Sequence, residues 1–339
     1  MEAKNPNNKL KIVFFGTPDF AIPTFQKLSS TQDIRILAVI TQPDKPVGRK
    51  QIMTPPPIKD LAIKKQIKVY QPEKLNLDQD LILDLKQMNP DFIITCAYGQ
   101  IIKSEILNIA PVINLHASLL PDYRGPAPIN WSIIHGEKEI GVSTMLSDLG
   151  VDTGDILLQA KCSLDEIKNA QQVSNELAEL GSELVLKTIR EFKMITPQKQ
   201  SQTLTQKTLA PFMDKNLGLV NFQALELNLK SANPKQSEFL VKKKNSAQNI
   251  HNLVRGTYPW PGAYFMRGED KVILLETKSH EEDSGLKPGV IVSFSQEGSI
   301  KIQTQEGILE IISLKPQGKM AQRASDWLNG QRLKRGDLL

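Results

Sequence analysis

From Lys11 to about Phe192, short apolar runs alternate with stretches of helix length, and this alternation constrains the fold more than any other feature of the chain. The runs "LKIVFFG", "IRILAVI", "DFIITCAY" and "PVINLHA" are spaced by residues 19–30, 57–66, "DLILDLKQM" and 103–109, with "VYQP" as a further short run. Parallel strands need crossover connections, so this rhythm predicts a Rossmann-like, doubly wound, mostly parallel sheet with helices on both faces. A helix over 126–135 follows. The runs "GVSTMLSDL" and "GDILLQAKCSL", joined by the turn-rich "GVDTGD", then predict a hairpin-like antiparallel pair. Val173, Leu177, Leu180 and Leu184 recur at helical spacing and predict a last helix that closes this α/β domain, residues 1–193.

Residues 194–210, "MITPQKQSQTLTQKTLA", are polar and without periodicity, and read as a linker. From 211 to 339 the pattern changes to short alternating runs separated by Gly, Pro and Asn: "KVILLETK", "GVIVSFSQ", "SIKIQTQ" and "GILEIISL". Few strands and one helix, "QNIHNLVRG", predict a small five-stranded β-barrel of the OB-like kind.

A chain of 339 residues suits two such domains, and 40% hydrophobic with 23% charged residues describes an ordinary soluble globular protein. The first nine residues are polar, and no window reaches the roughly 18 apolar residues of a membrane helix, so a cytoplasmic protein is expected, with no membrane partner. Neither the two cysteines nor the four histidines have metal-ligand spacing, so no metal is expected. Cys96 reads as a small buried hydrophobe. The net charge of +5 is concentrated late: 24 Lys and Arg face 23 Asp and Glu up to residue 210, and 18 face 14 beyond it. Such an excess is compatible with an RNA partner but does not require one.

In a sheet of this kind, ligands sit outside the carboxyl ends of the strands. "FFGTPDF" ends the first strand with a single glycine, so the glycine spacing of a dinucleotide site is missing, and no Walker pattern occurs. In "INLHASLLP", Asn114 and His116 lie two apart on a strand and project to the same side. An amide and an imidazole there need partners, which favours the ligand-bearing end of the sheet. The later loop "SDLGVDTGD" offers Asp148, Asp152 and Asp155. Asn, His and Asp meeting there would supply an oxyanion donor, a proton-handling imidazole and a carboxylate to orient it. A capped turn beside a structurally satisfied histidine accounts for the same spacing equally well.

The stretch "NLHASLLPDYRGPAPINW", followed by "SDLGVDTGDIL", resembles the folate-dependent formyltransferase family. "FFGTPDFA", "TQPDKPVGRKQIMTPPPIK", "VRGTYPWPGAYF" and "LKPQGK" extend the resemblance over roughly residues 10–330, closest to the branch that acts on methionyl initiator tRNA. The resemblance implies 10-formyltetrahydrofolate as formyl donor and the α-amine of methionine on initiator tRNA as acceptor, with no metal and no obligate protein partner, the chain acting as a monomer. It places Asn114, His116 and Asp152 in the catalytic positions, and assigns the folate cleft to Ser118, Leu119, Leu120, Pro121, Tyr98 and Gly99. RNA contacts are implied for Lys45, Arg49 and Lys50 in a proline-stiffened loop over 41–57, and for Lys242, Lys243, Lys244 and Arg255 in the C-terminal domain, where backbone-tracking charge would be salt-sensitive.

Departures from the family pattern occur at Leu209, Phe212, Asn221 and Phe222, and Lys45 stands where an arginine is common. They leave the chemistry intact and bear only on individual RNA contacts. An amino-sugar N-formyltransferase would share the trio, but the basic loop and the C-terminal charge weigh against it. A formyltetrahydrofolate hydrolase would have no use for the 41–57 loop. An RNA-binding protein on an inactive scaffold is disfavoured by the complete trio.

Overall fold

The computed structural model describes residues 9–48, 50–201, 203, 205, 207–227, 229, 243–295 and 297–339. Arg49 and Lys242, two of the expected RNA-contacting residues, lie outside the described residues. The contacts divide the chain into two units. The first comprises Met1–Arg124, Gly141–Cys162 and Ser174–Thr203, and the second Gly125–Ile140, Ser163–Val173 and Leu204–Leu339. The sequence boundary near 193 instead assigns 125–140 and 163–173 to the first domain.

The first unit is built on a seven-stranded sheet in the order β5-β2-β1-β6-β7-β8-β9. Its strands are β1 (Leu10–Gly16), β2 (Ile34–Ile40), β5 (Lys68–Tyr70), β6 (Phe92–Cys96), β7 (Val112–His116), β8 (Glu139–Leu146) and β9 (Ile156–Ser163). Pairing is parallel from β5 through β7, and β8 runs antiparallel to β7. Every residue of β6 is buried, as are Ile12 to Phe15 of β1, because helices cover both faces of the parallel strands. On one face, Leu81, Ile82 and Leu85 of a helix over Gln79–Met88 join Val13, Phe15, Ile40 and Ile93 in a single apolar cluster. On β1, Phe14 alternates with that set and meets Phe25, on the helix Ile22–Ser30, with ring centroids 5.5 Å apart.

The long helix Ala170–Glu191 matches the apolar stripe read from the sequence. It packs closely on β7: a Cβ at Gly181 would lie 2.6 Å from Leu115 Cδ2. Leu115 separates Asn114 from His116, so the alternation that sends Leu115 into this helix sends its two polar neighbours to the opposite face.

Residues 41–57 stay out of the main sheet, as their prolines and polarity imply. They form a small ribbon of their own, β3 (Lys45–Val47) paired antiparallel with β4 (Ile52–Thr54). All six strand residues are exposed. The base is tied down where Asp44 accepts from Lys59 Nζ at 2.8 Å and from Gln71 Nε2 at 2.7 Å. Those two hydrogen bonds hold the Asp44 carboxyl below its ordinary range, that from Gln71 contributing most.

The second unit carries a six-stranded antiparallel sheet of β10 (Tyr264–Arg267), β11 (Asp270–His280), β12 (Ile291–Phe294), β13 (Ile300–Gln303), β14 (Ile308–Pro316) and β15 (Gln322–Arg323), in the order β10-β11-β14-β13-β12 with the two-residue β15 beside β14. The helix Ala247–Gly256, capped by Ser246, packs on β11 (Asp270–His280) and β14 (Ile308–Pro316). The helix Pro128–His135 belongs to this unit as well: Asn130 Nδ2 donates to Gly256 O at 2.7 Å, and Trp131 Nε1 to Pro211 O at 2.8 Å. Phe222, one of the departures from the family pattern, is a core residue here, with its ring 5.7 Å from Phe265. No helix among the described residues is long and apolar enough to cross a membrane.

His135 ends its helix buried against Trp131, and that burial, reinforced by the charge of Lys243, pushes its imidazole down to about 4. In an unfolded chain a histidine titrates near 6.5. Between these values the unfolded chain binds a proton that the folded chain refuses, so stability falls as pH drops through the window. The expected loss from His135 is about 3 kcal/mol, each pKa unit being worth about 1.4 kcal/mol. Urea denaturation between pH 7 and pH 4 checks it: His135→Gln should flatten the pH dependence by about one proton, and an unchanged slope would assign the acid sensitivity to other groups.

Candidate active site

Two of the expected catalytic residues, Asn114 and His116, lie on β7 between β6 and β8. Thr95 on β6 lies beside Asn114 on β7, with Met145 of β8 on its other side, and His116 lies beside Ser143. Thr95 Oγ1 donates to Asn114 Oδ1 at 2.6 Å. This fixes the amide so that its NH2 end, the donor end, points away from Thr95. Asn114 is partly exposed, whereas His116 is 6% exposed.

Both ring nitrogens of His116 face acceptors. Nε2 donates to Tyr123 O at 2.9 Å, and Nδ1 lies 3.6 Å from Asp152 Oδ1. The first is a hydrogen bond and the second is longer than one, so Nδ1 is the nitrogen with room to reach a further oxygen. Tyr123 and Asp152 both have left-handed backbones, with φ of 60° and 53°. For a bulky residue such as Tyr123 this conformation persists only where the surroundings impose it.

The loop behind β7 is held by side chains. Ser118 Oγ donates to Asp122 O and Ser143 Oγ to Ser118 O, both at 2.6 Å, and Leu120 N donates to Ser143 Oγ at 3.0 Å. Gln159 Nε2 reaches Leu120 O at 2.9 Å. Leu120 itself is buried with Met145 and Ile156, while Leu119 is only partly buried and Pro121 is exposed.

In the loop 148–155, Asp148 accepts from Gly150 N at 3.0 Å and from Thr153 Oγ1 at 2.8 Å, so it shapes the turn and Asp152 is left to face His116. Gly154 lets the loop close, since a Cβ there would lie 1.7 Å from Leu146 O.

Two of the expected side-chain contacts need correction. The Tyr98 ring is 4% exposed and stands edge-on to Phe15 at 5.1 Å, inside the core, so it fills the sheet's apolar layer and does not face a ligand. Burial pushes its phenol up. Its backbone carbonyl accepts from Thr17 Oγ1 at 3.0 Å and Gln42 Nε2 at 3.2 Å, and Gly99 next to it has φ of 89°.

Arg255 is the second correction. It is 5% exposed, its Nη1 donates to Asp165 O and Lys168 O and its Nη2 to Asn252 Oδ1 at 2.8 to 2.9 Å, so the guanidinium is turned into the fold and away from any phosphate backbone. The other basic residues divide. Lys45 and Lys50 are exposed. Lys244 is exposed and pairs with Glu306 at 2.8 Å, while Lys243 is half-buried with Nζ on His135 O at 2.8 Å.

Sequence reasoning missed Thr95, the Tyr123 carbonyl, Arg124 and Gln200, which all support the site. Arg124 at least lies inside the quoted "YRGPAP" motif; Gln200 is one glutamine in a Gln-rich stretch and gave no signal. Among the described residues, no group of three or more His, Cys, Asp and Glu could hold a metal ion.

An amide donor, an imidazole and a carboxylate at one strand end suit acyl-type transfer, and the comparisons with known proteins agree. A family model described as formyl transferase matches residues 10–189, and one described as formyl transferase, C-terminal domain, matches 234–332. The methionyl-tRNA formyltransferase of Thermodesulfovibrio yellowstonii is 41% identical over 329 residues, 96% of this chain and 97% of that one. That of Clostridium botulinum is 40% identical over 335 residues, 97% and 99% of the two chains.

Among solved structures, WlaRD, a sugar 3N-formyl transferase crystallised in the presence of dTDP and 5-N-formyl-THF, aligns with a TM-score of 0.60 at 19% identity, covering 92% of this chain and 99% of that one. HypX from Aquifex aeolicus in complex with tetrahydrofolic acid gives 0.56 at 18%, covering 94% and 46%. At such identities these two share the fold. With a family model over more than half of its length and relatives about 40% identical from end to end, the chain belongs to the formyl transferase family, and within it to the methionyl-tRNA formyltransferases.

Proposed function

We propose that this chain transfers the formyl group of 10-formyltetrahydrofolate to the α-amine of methionyl initiator tRNA, with Asn114, His116 and Asp152 as its catalytic residues. The observation that carries this reading is the approach of Asp152 to His116 at the carboxyl end of β7, the strand that also carries Asn114, in a chain whose relatives of that name match it almost throughout.

The amine lone pair attacks the formyl carbon, and the carbonyl electrons move onto oxygen. The Asn114 NH2 and the His116 Nδ1–H donate to that oxyanion; one such donor is typically worth roughly 3 to 4 kcal/mol of barrier. Asp152 opposes the charge of the imidazolium and takes the proton released by the attacking amine. When the intermediate collapses, the C–N bond to the folate breaks and the proton passes to the departing folate nitrogen. The reaction needs no covalent enzyme intermediate. The 118–121 loop and the backbone at 98–99 would border the folate. Lys45 and Lys50, with Arg49, would meet the RNA from the β3–β4 ribbon, and Lys244, with Lys242, from the second unit.

Incubating the protein with 10-formyltetrahydrofolate and, separately, methionyl initiator tRNA, amino-sugar nucleotides or water, and following folate release, distinguishes this reading from the sugar transferase and the hydrolase. Release with tRNA alone is expected.

Asp152→Asn and His116→Ala should each lower single-turnover transfer by roughly 100-fold or more while leaving tRNA affinity within about twofold of wild type, as phosphate contacts set that affinity. Near-normal turnover in either variant would sink the assigned roles.

Tyr98→Phe removes a buried hydroxyl that has no hydrogen-bond partner among the described residues. It should therefore raise stability by up to about 1 kcal/mol and leave the folate KM unchanged; a raised KM would restore the side chain to the folate site.

For the ribbon, Arg49→Ala with Lys50→Ala should slow transfer even at saturating tRNA, since it would position the acceptor as well as bind it. A wild-type single-turnover rate would reduce the ribbon to an electrostatic contributor.

A further inference from the structure

Gln200 lies in the polar stretch that the sequence presents as a linker, yet it is 7% exposed and both ends of its amide are in use. Its Oε1 accepts from Arg124 Nε at 3.0 Å and from Arg124 Nη2 at 2.7 Å. Its Nε2 donates to Asp152 O at 3.1 Å and to Gly154 O at 2.6 Å. The approach is fixed two residues earlier, where Gln198 and Ile156 exchange a pair of backbone hydrogen bonds of 2.8 Å at the start of β9. Arg124 Nη2 also donates to Ser201 O at 2.8 Å, closing the far side of the same contact.

These partners are the two segments that hold His116. Arg124 follows Tyr123, whose carbonyl accepts from His116 Nε2, and Asp152 faces His116 Nδ1. One glutamine thus ties the Arg124 side chain, next in sequence to the left-handed Tyr123, to the backbone carbonyl of the left-handed Asp152. Burial disfavours the Arg124 charge and the carboxylates of Asp152 and Asp148 favour it, so the guanidinium also links the two loops electrostatically.

We infer that Gln200 is a positioning residue for formyl transfer: by bridging Arg124 to the carbonyls of Asp152 and Gly154 it sets the separation of Asp152 from His116, and so acts on the reaction through that pair. The inference rests on the catalytic reading of His116 and Asp152. It differs from a general stabilising role because an amide that sets the placement of Asp152 has nothing left to contribute once that carboxylate is gone.

The test uses the full chain with four variants: Gln200→Met, similar in length but unable to bridge; Gln200→Glu, which keeps an acceptor for Arg124 but sets a carboxylate against two carbonyl oxygens; Asp152→Asn; and the double variant Gln200→Met with Asp152→Asn. Single-turnover transfer and the KM for each substrate are measured well below every variant's melting midpoint.

Gln200→Met and Gln200→Glu are each expected to lose about 10- to 100-fold in kcat, the scale of a misplaced reacting group, with KM for folate and tRNA within about twofold. On the Asp152→Asn background, Gln200→Met should cost less than about threefold, because residues acting as one unit are not additive. Wild-type kcat in either single Gln200 variant, or a full multiplicative loss in the double variant, would overturn the inference. An active Asp152→Asn would instead overturn the catalytic reading beneath it. If Gln200→Met does not fold, Gln200→Glu carries the same comparison.

Discussion

Parallel pairing of β1, β6 and β7 is the constraint on which the rest of the first unit depends. Strands running the same way deliver their carboxyl ends to one edge of the sheet, and both faces behind that edge are closed by helices. Polar side chains are then tolerated only at the open edge or where a neighbour satisfies them. Thr95, supplied by the adjacent strand in register, satisfies Asn114, and the Tyr123 carbonyl in the loop behind β7 satisfies His116 Nε2. A slip of one residue in β7 would send Leu115 to the edge and both polar residues into the helix that carries Gly181. The chemistry therefore depends on the same packing that fixes the core.

What could be read from the sequence follows this logic. Residues two apart on a strand must share a face, so Asn114 and His116 were legible as a pair, and the glycine-flanked loop was legible as the source of a carboxylate. Which of its three aspartates would face the imidazole was not decided by spacing, since Asp148 could be consumed by its own turn, as it is, only once the backbone closed on Gly154. The alternation of strands and helices likewise placed most elements of the first unit within a few residues. The ribbon at 45–54 escaped because three cross-strand pairs are too few to leave a periodic signature.

Other features were hidden for a different reason: composition does not say whether a polar residue faces water. Arg255, Lys243 and Gln200 look like surface residues, and each is turned inward to backbone carbonyls at helix ends and in loops. The carbonyls of Asp165, Lys168, His135, Asp152 and Gly154 are the demand, and long polar side chains meet it. A sequence shows the side chains that answer such a demand but not the backbone geometry that creates it.

The β3–β4 ribbon joins an anchored base to a tip with Val47, Ile52 and Met53 more than half exposed. A two-stranded ribbon is at best marginally stable by itself, and the Asp44 contacts with Lys59 and Gln71 secure only one end of it. Its inter-strand amides therefore open to solvent without the sheet beneath them unfolding, so deuterium should enter this ribbon long before it enters β1 or β6. Any ligand that settled on those three apolar side chains would have to meet the entropy of holding the strands together.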